Sequence, residues 1–186
     1  MIMGLGLFTV AGLAGAVLYI IHHIVVKTTL FLVAGLIEER NGTSDLAKLS
    51  GLARLEPLLG VLFFLPALSL AGIPPFSGFV AKLALVQAGV GASSYAIVAV
   101  SLAVSLLTLY SMTKIWANVF WGPRQEDQRA RTLTTPRRAL MVGSTASLVV
   151  LSLAIAVAAG PLYDLSERAA QDLVDPTSYV EAVLGS

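Results

Sequence analysis

Residues 57–90 read PLLGVLFFLPALSLAGIPPFSGFVAKLALVQAGV. Apart from Lys82, no charged side chain interrupts this stretch. A helix needs roughly 20 apolar residues to cross about 30 Å of hydrocarbon, so the run is too long for one straight crossing. Pro74-Pro75 divides it, because proline lacks the amide donor and clashes with the preceding turn. The pattern predicts two short spans, Pro57–Ile73 and Pro75–Val90. The second contains glycines, as discontinuous membrane helices do.

Outward from this stretch the apolar pattern repeats. Met1–Ile37 is interrupted only by His22, His23 and Lys27, and as a single helix it would reach about 55 Å. Glycines 4, 6, 12 and 15 place an expected break near Thr9–Gly12. Met1–Phe8 is then the end of a span begun elsewhere, and Ala11–Ile37 a complete one. Ser93–Trp121 and Ala139–Gly160 supply two more. The expected fold is all-α: a polytopic transmembrane helix bundle of about five complete spans (11–37, 57–73, 75–90, 93–121, 139–160), with a partial span 1–8, one Pro-broken helix and a tail over 161–186.

Composition excludes the main alternatives. Hydrophobic residues make up 56% of the 186 and charged residues 12%, with a mean hydropathy of +0.84, whereas a soluble domain carries about 25% charge. There is no cysteine, so disulfides, zinc–thiolate sites and iron–sulfur ligation are ruled out. Met1–Ile21 lacks the basic start of a cleaved leader. Gly4-Leu5-Gly6 lacks the strand and helix of a nucleotide-binding loop. The adjacent histidines have no acid near them in sequence, so neither metal nor cofactor is expected.

The charges cluster between spans. Segment 38–56 is slightly acidic, 122–138 holds five arginines (124, 129, 131, 137 and 138) against two acids, and the tail after Gly160 is acidic. The positive-inside rule places loop 122–138 in the cytoplasm, rather than on a nucleic acid. Counting 57–73 and 75–90 as separate crossings then puts both 38–56 and the tail outside. Trp116, Phe120 and Trp121 are expected to form an interfacial aromatic belt, and the tail a short helix around Asp164–Val174 that stops before Pro176.

Lys82 is the sharpest functional signal. The nearest acids in sequence are Glu56 and Glu126, and a lysine at mid-bilayer costs several kcal/mol unless it is hydrated, paired or deprotonated. Loss of hydration disfavours an amine's charged form and brings proton exchange toward neutral pH. The alternative is a side chain that snorkels to the headgroups. His23 and Lys27, at i and i+4, share a helix face and suit a proton relay, helped by Thr28; the competing reading is a packing histidine. His22 points about 100° away and reads as structural or a side branch. Lys114, near the aromatic belt, reads first as a snorkelling residue and second as a pathway residue. Ser101, Ser105 and Thr108 form a stripe that suits helix packing more than a water path.

Four segments carry a family resemblance. His22-His23-Ile-Val-Val-Lys27-Thr-Thr-Leu-Phe-Leu-Val-Ala-Gly35 resembles the histidine- and lysine-bearing helix of the antiporter-like subunits shared by respiratory complex I and the Mrp multisubunit cation/proton antiporters. Leu65-Pro66 through Lys82 is similar to their next helix pair, with its broken helix and buried charge. Thr113-Lys114 through Gly122, and the ending Val174–Leu184, resemble the D subunits of the Mrp antiporters more closely than the complex I subunits, one of which has glutamate where Lys82 stands.

The resemblance covers the whole chain and implies a C-terminal portion, about the last third, of a fourteen-span fold built partly from two inverted five-helix repeats. It implies that His23, Lys27 and Lys82 line a polar axis through the membrane centre. Lys82 would gate the outlet half-channel, and His22 and Lys114 are possible accessories. It also implies a cell-membrane subunit that moves protons and monovalent cations with other subunits of a hetero-oligomeric complex, and is not an enzyme. Two other functions stay open: a proton pump driven by quinone chemistry, and a structural membrane subunit without transport.

Overall fold

The computed structural model describes residues 2–123, 135–175, 177 and 183–185. Arg124, Arg129, Arg131, Pro176 and Glu181, on which part of the loop and tail expectations rest, lie outside the described residues. Among the described residues all regular structure is helical: α1 (Ile2–Leu7), α2 (Val10–Asn41), a single 3₁₀ turn at Leu46–Lys48, α3 (Leu52–Leu55), α4 (Pro57–Ala71), α5 (Ser77–Gly91), α6 (Tyr95–Val119), α7 (Thr135–Val157) and α8 (Ala159–Val174). The chain forms an all-α membrane bundle with one Pro-broken helix.

The break between α1 and α2 falls at Phe8-Thr9. Phe8 takes a left-handed φ of 47°, and Thr9 caps α2 by accepting from the Gly12 amide at 3.1 Å. From there α2 runs 32 residues, about 48 Å, to a left-handed Gly42 whose N–H donates to Glu38 O. It is the axis on which α1, α4, α5, α7 and α8 pack, while α6 packs on α4 and α5.

Helices α4 and α5 have 15 residues each, about 22 Å, too short for the hydrocarbon core alone. They lie end to end along α2, antiparallel to it. Leu59, Leu62 and Phe63 of α4 share a core with Val33, Leu36 and Ile37 at one end of α2. In α5, Gly78 sits against His22, Leu85 against Gly15, and Gly89 against Met3 of α1. The prediction of two separate short spans at 57–73 and 75–90 is therefore corrected: they are two halves of one crossing, interrupted at Pro74-Pro75. Charge and hydropathy alone do not separate a hairpin of short helices from a broken one. The distinction comes from the uninterrupted length of α2 beside them. Of the described helices, α2, α6 and α7 are long and apolar enough to cross a membrane individually.

One crossing rather than two changes the ends. Segment 38–56 and the α6–α7 connection meet at the same end of the bundle. Gly51 N donates to Trp121 O at 3.2 Å and Ala53 N to Phe120 O at 3.1 Å, while Ser50 Oγ donates to Pro123 O at 2.6 Å. Glu56 pairs with Arg40 of α2 and with Arg138 of α7 at 2.8 Å, and Glu39 pairs with Arg137 at 3.0 Å. The placement of 38–56 opposite the arginine-rich loop is thus corrected: its acids are partners of that loop's arginines. At this end Trp116 and Phe120 stack at 4.6 Å and Phe63 lies 5.2 Å from Phe120, with Phe120 buried. The aromatics expected as a belt mostly pack inward, and Trp121 alone of the three is exposed.

The hydroxyl stripe of α6 bonds to its own backbone. Ser105 and Thr108 donate to the carbonyls of Ser101 and Val104, and most of α6 is exposed. Ser101, Ser105 and Thr108 are half-buried, on the same side of α6 as the buried Val98 and Val119, and closing hydroxyls onto their own backbone suits a face without polar solvent. The tail helix starts earlier than expected, at Ala159, and packs on α2 through Ala170 against Leu13 and Ala14, flanked by Tyr163.

The chain contains no cysteine, so single cysteines report sidedness cleanly. In the full-length protein in oriented vesicles, Thr43→Cys and Pro123→Cys should react with a membrane-impermeant maleimide from one side, and Ala92→Cys from the other. Reaction of Thr43→Cys and Pro123→Cys from opposite sides would restore the two-span count.

Candidate functional site

The interruption between α4 and α5 leaves the last carbonyls of α4 without helical donors, as at any helix end. Gly72 turns the chain away with φ +87°, its N–H capping Leu68 O and Ser69 O. That left-handed geometry suits glycine, and an added Cβ would also meet the Lys82 side chain. Lys82, in the second turn of α5, reaches back to the break. Its Nζ donates to Leu70 O at 3.0 Å and Ala71 O at 2.8 Å. The ammonium therefore sits at the negative end of the α4 dipole, where a cation gains up to about 2 kcal/mol when partly buried. Its partners are main-chain carbonyls rather than a carboxylate, and the side chain is half-buried.

A hydroxyl cluster lies on the other side of the break. Ser77, the first residue of α5, is buried. Its Oγ shares hydrogen bonds with His22 Nδ1 of α2 at 2.8 Å, Ser69 Oγ of α4 at 3.1 Å and Ser152 Oγ of α7 at 3.4 Å. Gly78 lets α5 close onto α4 here, since a Cβ at that position would run into the Ser69 carbonyl. His22 is fully buried, with Tyr19 edge-on at 5.8 Å, and its Nε2 has no hydrogen-bond partner among the described residues. The Ser77 hydroxyl thus joins four helices, with His22 as its partner from α2.

The predicted pathway residues are distributed unevenly around this centre. His22, expected to be structural or a side branch, is bonded to the central Ser77 hydroxyl. His23 is half-buried and stacks on Tyr19 at 5.4 Å, with Nδ1 buried and unpartnered among the described residues. Lys27, one turn on, is exposed. It borders an apolar cavity of about 270 Å³ that Leu70 also lines. Lys114 is exposed on α6, outside the cluster. Sequence reasoning missed Ser69, Ser77, Ser152 and the two carbonyls. A signal existed for Ser77, a hydroxyl two residues after the Pro-Pro break. Ser152 had none, because only the fold brings α7 there. Among the described residues no three His, Cys, Asp or Glu side chains converge as metal ligands.

Residues 1–108 match the family model described as NADH:quinone oxidoreductase/Mrp antiporter, TM. The chain is 44% identical over 184 residues to the D-type subunit of the Na(+)/H(+) antiporter of Alkalihalophilus pseudofirmus, covering 99% of this chain and 37% of that protein. It is 36% identical over 183 residues to the corresponding D-type Na(+)/H(+) antiporter protein of Bacillus subtilis, covering 98% of this chain and 36% of that protein. A solved structure of the Mrp complex from Dietzia sp. DQ12-45-1b includes a similar chain, with a TM-score of 0.88 and 39% identity over 97% of this chain and 41% of that one. The chain thus spans little more than a third of the length of the curated relatives it matches.

Removing the shared hydroxyl tests the cluster. Ser77→Ala leaves His22 Nδ1 buried without its partner and should destabilise by about 1–3 kcal/mol. Ser152→Ala, at the longer 3.4 Å contact, should cost less. Thermal unfolding of the purified complex in detergent measures both.

Proposed function

The chain belongs to the NADH:quinone oxidoreductase/Mrp antiporter transmembrane family, and from that premise we propose that it is part of a membrane subunit of a multisubunit monovalent cation (Na+)/proton antiporter. The observation that carries this reading is Lys82, an ammonium held by carbonyls of a broken membrane helix beside a buried histidine. Such a group is expensive in hydrocarbon and marks ion and proton routes by default.

In this reading protons pass along α2 through His22, His23 and Lys27 and exchange at Lys82. Histidine gives and takes protons near neutral pH. The unpartnered Nε2 of His22 and Nδ1 of His23 are the ring atoms available for transfer through water. Lys114 is a peripheral candidate at most. The names of the relatives at 44% and 36% identity favour the antiporter over a quinone-driven pump. The remaining subunits of the complex are the partners, and the exposed apolar face of α6 meets lipid or one of them. Loop 122–138 faces the cytoplasm and the tail the outside. Segment 38–56, tied to Arg137 and Arg138, then joins the cytoplasmic side and adds Arg40, Lys48 and Arg54 to the basic residues there, the ones that the positive-inside rule counts.

In the full-length antiporter assembled with its partners, Lys82→Ala should abolish Na+-driven proton movement in vesicles while assembly stays intact. Unchanged antiport would remove Lys82 from the mechanism. A Lys27→Leu/Lys82→Leu double variant that assembles and transports normally would leave only a structural role.

A further inference from the structure

The carbonyls under Lys82 form half of a cation site already. Leu70 O and Ala71 O converge on one point, 3.0 and 2.8 Å from Nζ. The Gly72 turn holds them open, and the α4 dipole adds negative potential there. The end of a half-helix whose unwound carbonyls face a cavity can coordinate a bare monovalent cation. The ammonium at that point is a cation tethered to the protein by four methylenes.

We propose that Lys82 is a built-in competitor: the Leu70 and Ala71 carbonyls hold either the Lys82 ammonium or a monovalent metal cation, never both. The exchange balances in charge. Lys82–NH₃⁺ releases one proton, through water or to a neighbouring imidazole, the neutral amine swings off the carbonyls, and one cation takes its place. The occupied site carries one positive charge in either state. Proton release and cation entry are then one event, and the site itself couples the two fluxes. The inference rests on the antiporter reading and adds to it the place where the cation binds.

The groups that bear on this exchange are few. From α2, His22 and His23 lie within electrostatic range of Lys82, and Lys27 lines the same cavity as Leu70. From α4 and α7 the facing polar groups are the neutral hydroxyls of Ser69 and Ser152.

The test is direct Na+ binding to the full-length protein in its assembled complex, followed by ²²Na+ retention or calorimetry between pH 6 and 9. Wild type should bind Na+ with an apparent affinity that rises with pH, by up to roughly tenfold per unit, the slope for one proton exchanged against one cation. Lys82→Ala frees the carbonyls and should bind Na+ with that pH dependence flattened. Lys82→Arg keeps a permanent cation on the same tether and should abolish binding at this site at every pH. Both variants are checked for monodisperse assembly, and the arginine variant carries the test alone if the alanine variant does not assemble. Na+ binding in Lys82→Arg that matches wild type in affinity and pH slope overturns the proposal, as does loss of binding in an assembled Lys82→Ala. In either of those cases, continued loss of antiport in Lys82→Ala leaves the antiporter reading standing, with the cation bound elsewhere.

Discussion

Inside a bilayer, a helix that stops halfway leaves carbonyls with no water to bond them, and a lysine placed there brings N–H groups and a charge with the same lack. At the end of α4 the two deficits cancel. Lys82 supplies donors to Leu70 and Ala71, and the carbonyls supply the negative potential that the ammonium requires. Each would be costly alone. The position of Lys82 in α5, the Gly72 turn and the Pro74-Pro75 interruption all serve this meeting.

The rest of the bundle holds that meeting in place. The long α2 helix spans both halves of the broken crossing, so α4 and α5 are aligned by a common neighbour rather than by each other. Gly78 allows the close approach that puts Ser77 within reach of Ser69 and His22. At one end, Glu56 joins α2 and α7 to the start of α4 through Arg40 and Arg138. Because one of these arginines is half-exposed, the clasp defines geometry more than it supplies stability. A buried histidine surrounded by neutral hydroxyls, next to a lysine on neutral carbonyls, makes a centre whose net charge follows its proton occupancy.

Much of this was visible in residue order. The apolar runs, the division at Pro74-Pro75, the break near Thr9 and the anomaly of a lysine at position 82 all follow from length and from the chemistry of proline and of a charge in hydrocarbon. What escaped was whatever depends on pairing between distant segments. Two short helices and one broken helix have the same sequence pattern, and the choice between them turned on how α2 runs beside them. The same miscount put Glu39 and Glu56 on the wrong side of the membrane from Arg137 and Arg138. His22 and His23 are neighbours in sequence, and helical geometry says only that they diverge. Which of them meets Ser77 depends on where α5 docks. A lysine invites a search for a carboxylate partner, whereas here the partners are carbonyls, which every residue carries and no sequence pattern flags.

The central claim is that the Lys82 ammonium closes the broken end of α4 in mid-membrane. A cryo-EM map of the assembled full-length complex near neutral pH, at a resolution that defines side chains, measures this directly. The account predicts density for Nζ within hydrogen-bonding distance of the Leu70 and Ala71 carbonyls, with α4 and α5 end to end along α2. A Lys82 side chain extended toward the lipid headgroups, or α4 and α5 folded side by side as separate crossings, would contradict it.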